Sequence, residues 1–471
     1  MFKRSYWVAI LGAAGCLVLL LCIGTTAFAG YFLYRNASSS LPINRIAYVD
    51  NNMDIQVVNP QGGQRVAITT DAAGSSNHAH LFPAWSLDSK HIAFISLSGD
   101  ANQEEGSLDV APTSGGHLTT IYKSQSDLPF YAYWSPDNQR LAFLTQNDQN
   151  QTLMLASADG KGGAQKLGDG SPLYWAWSPD GRTMLTHVGG TRSDSPDAHI
   201  SLIFPQANQP PQDLSAPGSF MSPQFSPDGS AILYASSDGT GGDSLYRADS
   251  RGKNPQLIQS FSGQIAFAWS PDGNKIATLV TPADAQLPNQ GPITVSDGNG
   301  KHPKQVVKED ALAFYWSPDS KQLAYLTIAS PDNKLGCASC EFLGKEILRA
   351  VSNAGAGAAL SSQAFGARPI HGLGAPLGQS QTVSLSWRVV DVPDGQPRTL
   401  AIFEPTDTFL AVLPFFDQYS RSLTFWSPDS RSFVYAKSEN STDGSVWVVD
   451  ATAGSPPRRI ADGTLAVWSW R

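Results

Sequence analysis

The 471-residue chain is 41% hydrophobic and only 15% charged, and its 42 Gly and 32 Pro favour many turns over long helices. Enough apolar material is present for a large packed core, which excludes a disordered chain. A net charge of −8 makes it a poor electrostatic partner for nucleic acid, which rewards basic faces.

The first element is Trp7 to Tyr34, a run without a charged residue, and roughly 20 apolar residues suffice to cross a bilayer. It predicts one transmembrane helix acting as a signal anchor. Lys3 and Arg4 precede it, so residues 1–6 form a cytoplasmic tail and the chain after a linker at 35–43 lies outside, single-pass in the cell membrane. Two export readings compete: Ala27-Phe28-Ala29 fits a signal-peptidase site, and Gly15-Cys16 offers a weaker lipidation site.

From residue 44 onward one idea recurs: an aromatic run ending in Trp-Ser-Pro-Asp, a tight corner, then an apolar strand such as Leu141-Ala142-Phe143-Leu144. Its leading aromatics are Trp85, Trp134, Trp177, Phe225, Trp269, Trp316 and Trp426, and a truncated copy begins at Trp468. The first six are spaced by 43 to 49 residues, a period that marks stacked repeats. Ser-Pro-Asp followed by Gly, Asn or Ser fits a type I turn. Each turn joins two strands, and in most units two more strands follow, as at Ser107 to Ala111 and Leu118 to Tyr122. Connections this short are antiparallel. The expectation is an all-β propeller over 44–471, eight four-stranded blades with a tryptophan in each wedge between sheets. Asn44 to Thr70 supplies three strands lacking an inner partner, and Leu465 to Trp470 supplies it, so the N- and C-terminal strands close the ring.

These repeats resemble the TolB-type, WD-repeat-like propellers of bacterial envelope proteins, over roughly 44 to 471. The resemblance implies protein or ligand binding more readily than a reaction: such propellers include a periplasmic protein that binds lipoprotein and peptidoglycan-associated partners, and domains that gate serine peptidases. This chain has no G-x-S-x-G elbow to match the latter.

One interval breaks the period, Trp316 to Trp426. Either a ninth blade surrounds Trp387, or one blade carries an insertion at about 329–382; Val383 to Val392 reads as a third strand and favours the insertion. Inside it Cys337 and Cys340 form a C-x-x-C whose readings are a disulfide, a reduced pair, or half a metal or redox site. Thr408 to Tyr419 reads as a short amphipathic helix. Its Phe415, Phe416 and Tyr419 form either a binding patch or a core-packing face on the rim.

Other constellations have simpler explanations. The repeated Asp137, Asp180, Asp228, Asp272, Asp319 and Asp429 suit turn hydrogen bonding better than a metal ring. His78 and His80 form an H-x-H that reads more readily as solvated than as metal-ligating. Gly160 to Gly163 and Gly298 to Gly300 sit between strands and read as hairpin turns, without the following helix that a phosphate loop needs. No catalytic residue, cofactor or metal is expected. The sequence therefore predicts a membrane-anchored, extracytoplasmic binding or scaffold module whose partner is a protein or glycan. The alternatives are an enzyme, hydrolase or lyase, using the propeller channel, and a ligand-sensing ectodomain with a membrane partner.

Overall fold

A computed structural model describes residues 44–471 except 74–76, 100–103, 148–149, 190–196, 208, 219–220, 238–241, 283–284, 286–288, 330–383, 441 and 452–454. The expected membrane segment, Cys337 and Cys340 lie outside the described residues, among which no helix is long and apolar enough to cross a membrane.

Eight antiparallel sheets follow one another along the chain. Blade 1 is built from His78–Trp85, His91–Ser98, Glu105–Pro112 and Thr119–Ser124, in that spatial order. Blades 2 to 5 repeat the plan, each starting on the strand that ends at the motif aromatic. Blade 8 is composite: Leu465–Trp468 pairs antiparallel with Ile46–Val49, which continues to Ile55–Val58 and Val66–Ala67. Both ends of the propeller therefore share one sheet, and Asn44 donates its backbone N–H to the Arg471 carbonyl at 2.6 Å.

The second strand of each blade is mostly apolar because sheets cover both of its faces; Leu141, Ala142 and Phe143 are all fully buried. Fourth strands face outward and carry charge instead, as Lys304–Ala311 does, which discourages pairing of the sheet edge with another chain.

The Ser-Pro-Asp turn is built by its own side chains. Ser135 Oγ donates to Asp137 Oδ1 at 2.5 Å and accepts the Arg140 backbone N–H at 3.0 Å. The fourth corner residue is left-handed, with φ of 58° at Asn138, 63° at Ser320 and 69° at Gly181, which explains the alternation of Gly, Asn and Ser there. Where it is Asn or Ser it also reaches the neighbouring blade: Asn138 Oδ1 accepts the Asp88 N–H, and Ser320 Oγ the Asp272 N–H. The carboxylates are thus engaged locally; at Asp180 the Ser178 hydroxyl and the Arg182 N–H hold the acid below its ordinary pKa.

The tryptophans stitch blade to blade. Trp134 Nε1 donates to the Ala84 carbonyl at 2.9 Å, and Trp85, Trp316 and Trp426 make the same bond to Val467, Ala268 and Tyr315. Each acceptor is the residue before the motif aromatic of the preceding blade, so the repeat fixes this interblade register as well as the turn.

In blade 6, Gln322–Ile328 pairs directly with Leu385–Asp391, and Ala329 donates to the Ser384 carbonyl at 2.9 Å. Trp387 lies fully buried in that third strand, so the count is eight blades and not nine. Blade 7 departs from the four-stranded expectation. It has three strands, Ser432–Ser438, Gly444–Asp450 and Arg458–Asp462, and its inner edge shrinks to a single bridge between Trp426 and Phe433. The cause is the preceding segment, which reaches Trp426 from the centre of the ring.

Candidate functional site

That segment is helix α1 (Asp407–Val412), a 3-10 turn at Leu413–Phe415 and helix α2 (Phe416–Tyr419). Thr406 starts it as an N-cap whose hydroxyl accepts the Phe409 N–H, and Pro414 suits the first turn of the 3-10 stretch because its missing N–H has no partner to lose there.

Of the two readings of this segment, burial favours core packing over a patch: Phe416 and Tyr419 are buried, at 2% and 4% exposure, and Phe415 packs half-buried against the core. They turn inward because inner strands of several blades surround them. Tyr419 meets Tyr131 of blade 2 at 4.5 Å between ring centroids and Phe82 of blade 1 at 6.0 Å. Phe416 meets Phe314 of blade 6 at 5.5 Å, while Asn289 of blade 5 donates to the Pro414 carbonyl. The segment is therefore neither surface patch nor rim helix but a plug across the central channel.

Its polar anchor is Gln418, fully buried. The Gln418 amide donates to the Trp175 carbonyl at 3.2 Å and to Tyr131 Oη at 3.3 Å, its oxygen accepts from Ser222 Oγ at 2.9 Å, and its backbone carbonyl accepts from Tyr131 Oη at 2.8 Å. Asp417 Oδ2 accepts the Ser222 backbone N–H at 2.7 Å, and Arg421 donates to the Pro223 carbonyl at 2.8 Å.

Burial pushes the Asp417 carboxyl up to about 6, against the pull of the Ser222 N–H and the Arg421 guanidinium. The folded pKa lies above the ordinary 3.8, so the group's contribution to stability is fully present below about pH 3.8 and lost as pH rises to about 6. Asp417→Asn removes this titration. Between pH 4 and 7.5 the wild type should lose up to about 3 kcal/mol relative to the variant, as read by denaturant unfolding. A stability difference independent of pH would contradict the buried-acid reading.

Beyond the plug, toward the Ser-Pro-Asp turns, the channel mouth holds a cavity of about 380 Å³. Trp269, Tyr315, Trp316, Trp426 and Trp470 supply aromatic walls, Arg421 the one cation, and Pro271, Pro318 and Pro428 the turn side. Among the described residues, neither a carboxylate nor an imidazole, thiol or ammonium lines it. Trp470 is 37% exposed, among the few large apolar side chains of the described residues left open to solvent. Such a cavity suits flat or apolar groups held by ring contact. Sequence reading missed it because its walls come from motif residues of several blades, each already explained by the architecture.

On the opposite face, His78 and His80 open the inner strand of blade 1 beside Asp71. They are not simply solvated: His80 is 2% exposed, and burial lowers its pKa against the pull of Asp71. The glycine stretches are turns as read; Lys161 pairs there with Asp159 at 2.9 Å.

No protein-family model matches the chain. A stretch of 69 residues, 15% of the chain, is 28% identical to the Tol-Pal system protein TolB of Thioalkalivibrio sulfidiphilus and spans only 16% of that protein. Among solved structures, TolB from Acinetobacter baumannii is 17% identical, with 57% of this chain and 65% of that one covered and a TM-score of 0.35. An oligogalacturonate lyase from Vibrio parahaemolyticus is 10% identical, with 87% and 97% covered and a TM-score of 0.48. Its repeated Trp-Ser-Pro-Asp turns and its eight sheets make the chain a β-propeller, and one short stretch of it is similar to TolB.

Proposed function

We propose that this protein is a recognition module of the cell envelope, held at the membrane by residues 7–34 with the propeller on the outer side. It binds a protein segment or glycan at the aromatic channel mouth. The observation that carries this reading is the lining of that mouth: aromatic faces and a guanidinium, with no carboxylate or imidazole among the described residues. A channel enzyme draws acids or imidazoles from several blades toward its axis, and here the axis is filled by the chain's own residues from Phe409 to Tyr419. A rigid ring presenting a preformed cavity is suited to binding.

The test is affinity capture from native membranes with the full-length chain, in parallel with Trp470→Ala. Trp470 is partly exposed at the cavity, so its loss should leave the fold intact while weakening a captured partner by about tenfold or more. Recovery of the same partner at equal affinity by both proteins would overturn the assignment to this mouth. Recovery of no specific protein or glycan would count against the binding reading itself.

A further inference from the structure

The junction between the closing blade and blade 1 contains a chain of buried polar groups that the fold does not explain. Asp109 of blade 1, 3% exposed, accepts hydrogen bonds from three hydroxyls: Ser96 and Ser107 on Oδ2 at 2.6 and 2.7 Å, and Thr120 on Oδ1 at 2.6 Å. The Ser96 proton is therefore committed to Asp109. Ser96 Oγ also lies 2.8 Å from His80 Nδ1, and since its proton is spent it accepts there, which makes Nδ1 the protonated nitrogen of His80.

The other ring nitrogen then carries a lone pair. His80 Nε2 faces Asp71 Oδ1 at 2.9 Å, with Asp54 Oδ1 3.9 Å away. Two acceptors at that separation repel unless a cation lies between them. A proton satisfies this pair alone, but a second imidazole is present. His78 Nδ1 faces the other oxygen of Asp71 at 3.3 Å, and the two rings stand 4.8 Å apart. The strand explains the pairing: residues two apart on a strand share a face, so H-x-H at the start of blade 1 aims both rings the same way.

We propose that Asp71, His78 and His80 form a binding site for a divalent cation of the zinc class. One donor atom from each of the three lies within 4.8 Å of the others, and among the described residues this group alone has such geometry. Two imidazoles and a carboxylate match the nitrogen and oxygen donors that zinc takes at about 2.0–2.2 Å. The Asp109–Ser96–His80 chain supplies the outer hydrogen bond that fixes a metal-binding histidine in one tautomer. Asp54 stays outside the set. Its Oδ1 accepts from Thr69 Oγ1 at 2.7 Å and its Oδ2 from the Ala73 N–H at 3.1 Å, so it adds negative field rather than a ligand. Asp71 is 60% exposed, which leaves a fourth position open to water or an incoming group. The ion would tie Asp71, which follows the outer strand of the composite blade, to the inner strand of blade 1.

The test uses the full-length chain in mild detergent with all four cysteines, Cys16, Cys22, Cys337 and Cys340, changed to Ser, so that thiols cannot supply the ligands. Zn²⁺ is titrated in competition with a chromophoric chelator. The expected result is one ion per chain, with affinity reduced about 100-fold in His78→Ala and in Asp71→Asn. Both substitutions fall outside the Ser96–Asp109 network, and a circular dichroism spectrum matching the parent establishes that each variant is folded. X-ray absorption on the zinc-loaded parent should give a first shell of nitrogen and oxygen with imidazole scattering. Failure of the parent to retain zinc against the chelator, or affinities in the folded variants equal to the parent's, would overturn the proposal.

Discussion

Trp468→Ala is expected to lower stability by about 3–5 kcal/mol, the range for emptying a large aromatic site in a packed core. Trp468 is 1% exposed in the inner strand of the composite blade, opposite Ile46. Its indole N–H donates to Asn44 Oδ1 at 2.7 Å, and its backbone N–H to the Thr424 carbonyl at 2.6 Å. The side chain therefore ties the last strand to Asn44 at the entry of the first, while the backbone bond to Thr424 survives the substitution, so the cavity weakens ring closure as well as one blade. The control is Trp470→Ala, two residues on and partly exposed, which should cost less than about 1 kcal/mol. Equilibrium denaturant unfolding reads both. Equal effects would show that closure does not depend on this ring.

Gln418→Leu should cost about 2 kcal/mol although it keeps side-chain volume. Leucine makes none of the three side-chain hydrogen bonds of the glutamine, so Ser222 Oγ loses its acceptor and the Trp175 carbonyl and Tyr131 Oη each lose an amide donor in the buried centre. The stranded Ser222 hydroxyl costs about 1–3 kcal/mol, whereas the Trp175 carbonyl keeps the Tyr133 hydroxyl and Tyr131 Oη still donates to the backbone carbonyl of residue 418. The signature is loosening of the plug ahead of the ring. Amide exchange should accelerate in Phe409 to Leu423 more than in the second strands of the blades. Uniform acceleration would mean that the plug has no stability of its own to lose.

How much of this was legible follows from the range of each signal. The turn is local: Ser135 and Asp137 make their bonds within a few residues and Asn138 supplies the left-handed corner, so the motif read the hairpin directly. Its period gave the blades, and the unmatched strands at Asn44 to Thr70 gave the closing partner. The plug was not legible in the same way. Phe409, Val412, Leu413, Phe416 and Tyr419 are apolar on more than one side of a short helical run, the pattern of a segment surrounded on all sides, yet a stretch this short also fits a rim helix. Only the fold brings Tyr131, Trp175 and Ser222 to Gln418. The loss of blade 7's inner strand has the same cause, since Trp426 keeps its interblade bond while the backbone before it is bent by the plug. At His80 the H-x-H was visible, but Asp109 and Asp71 reach it only through strand register and a connecting loop.

The shared blade also determines how the ring responds to force. Ile46–Val49 and Leu465–Trp468 run antiparallel, and Asn44 sits against Arg471 at one end of the pair. Tension drawing those two residues apart would load the ladder one rung at a time, as a zipper opens, and not all rungs together in shear. A load carried from Asn44 through the body of the propeller spares that seam. The closure is thus strong against thermal opening and yielding to a pull on its two ends, and the direction of a tether decides which of these the molecule experiences.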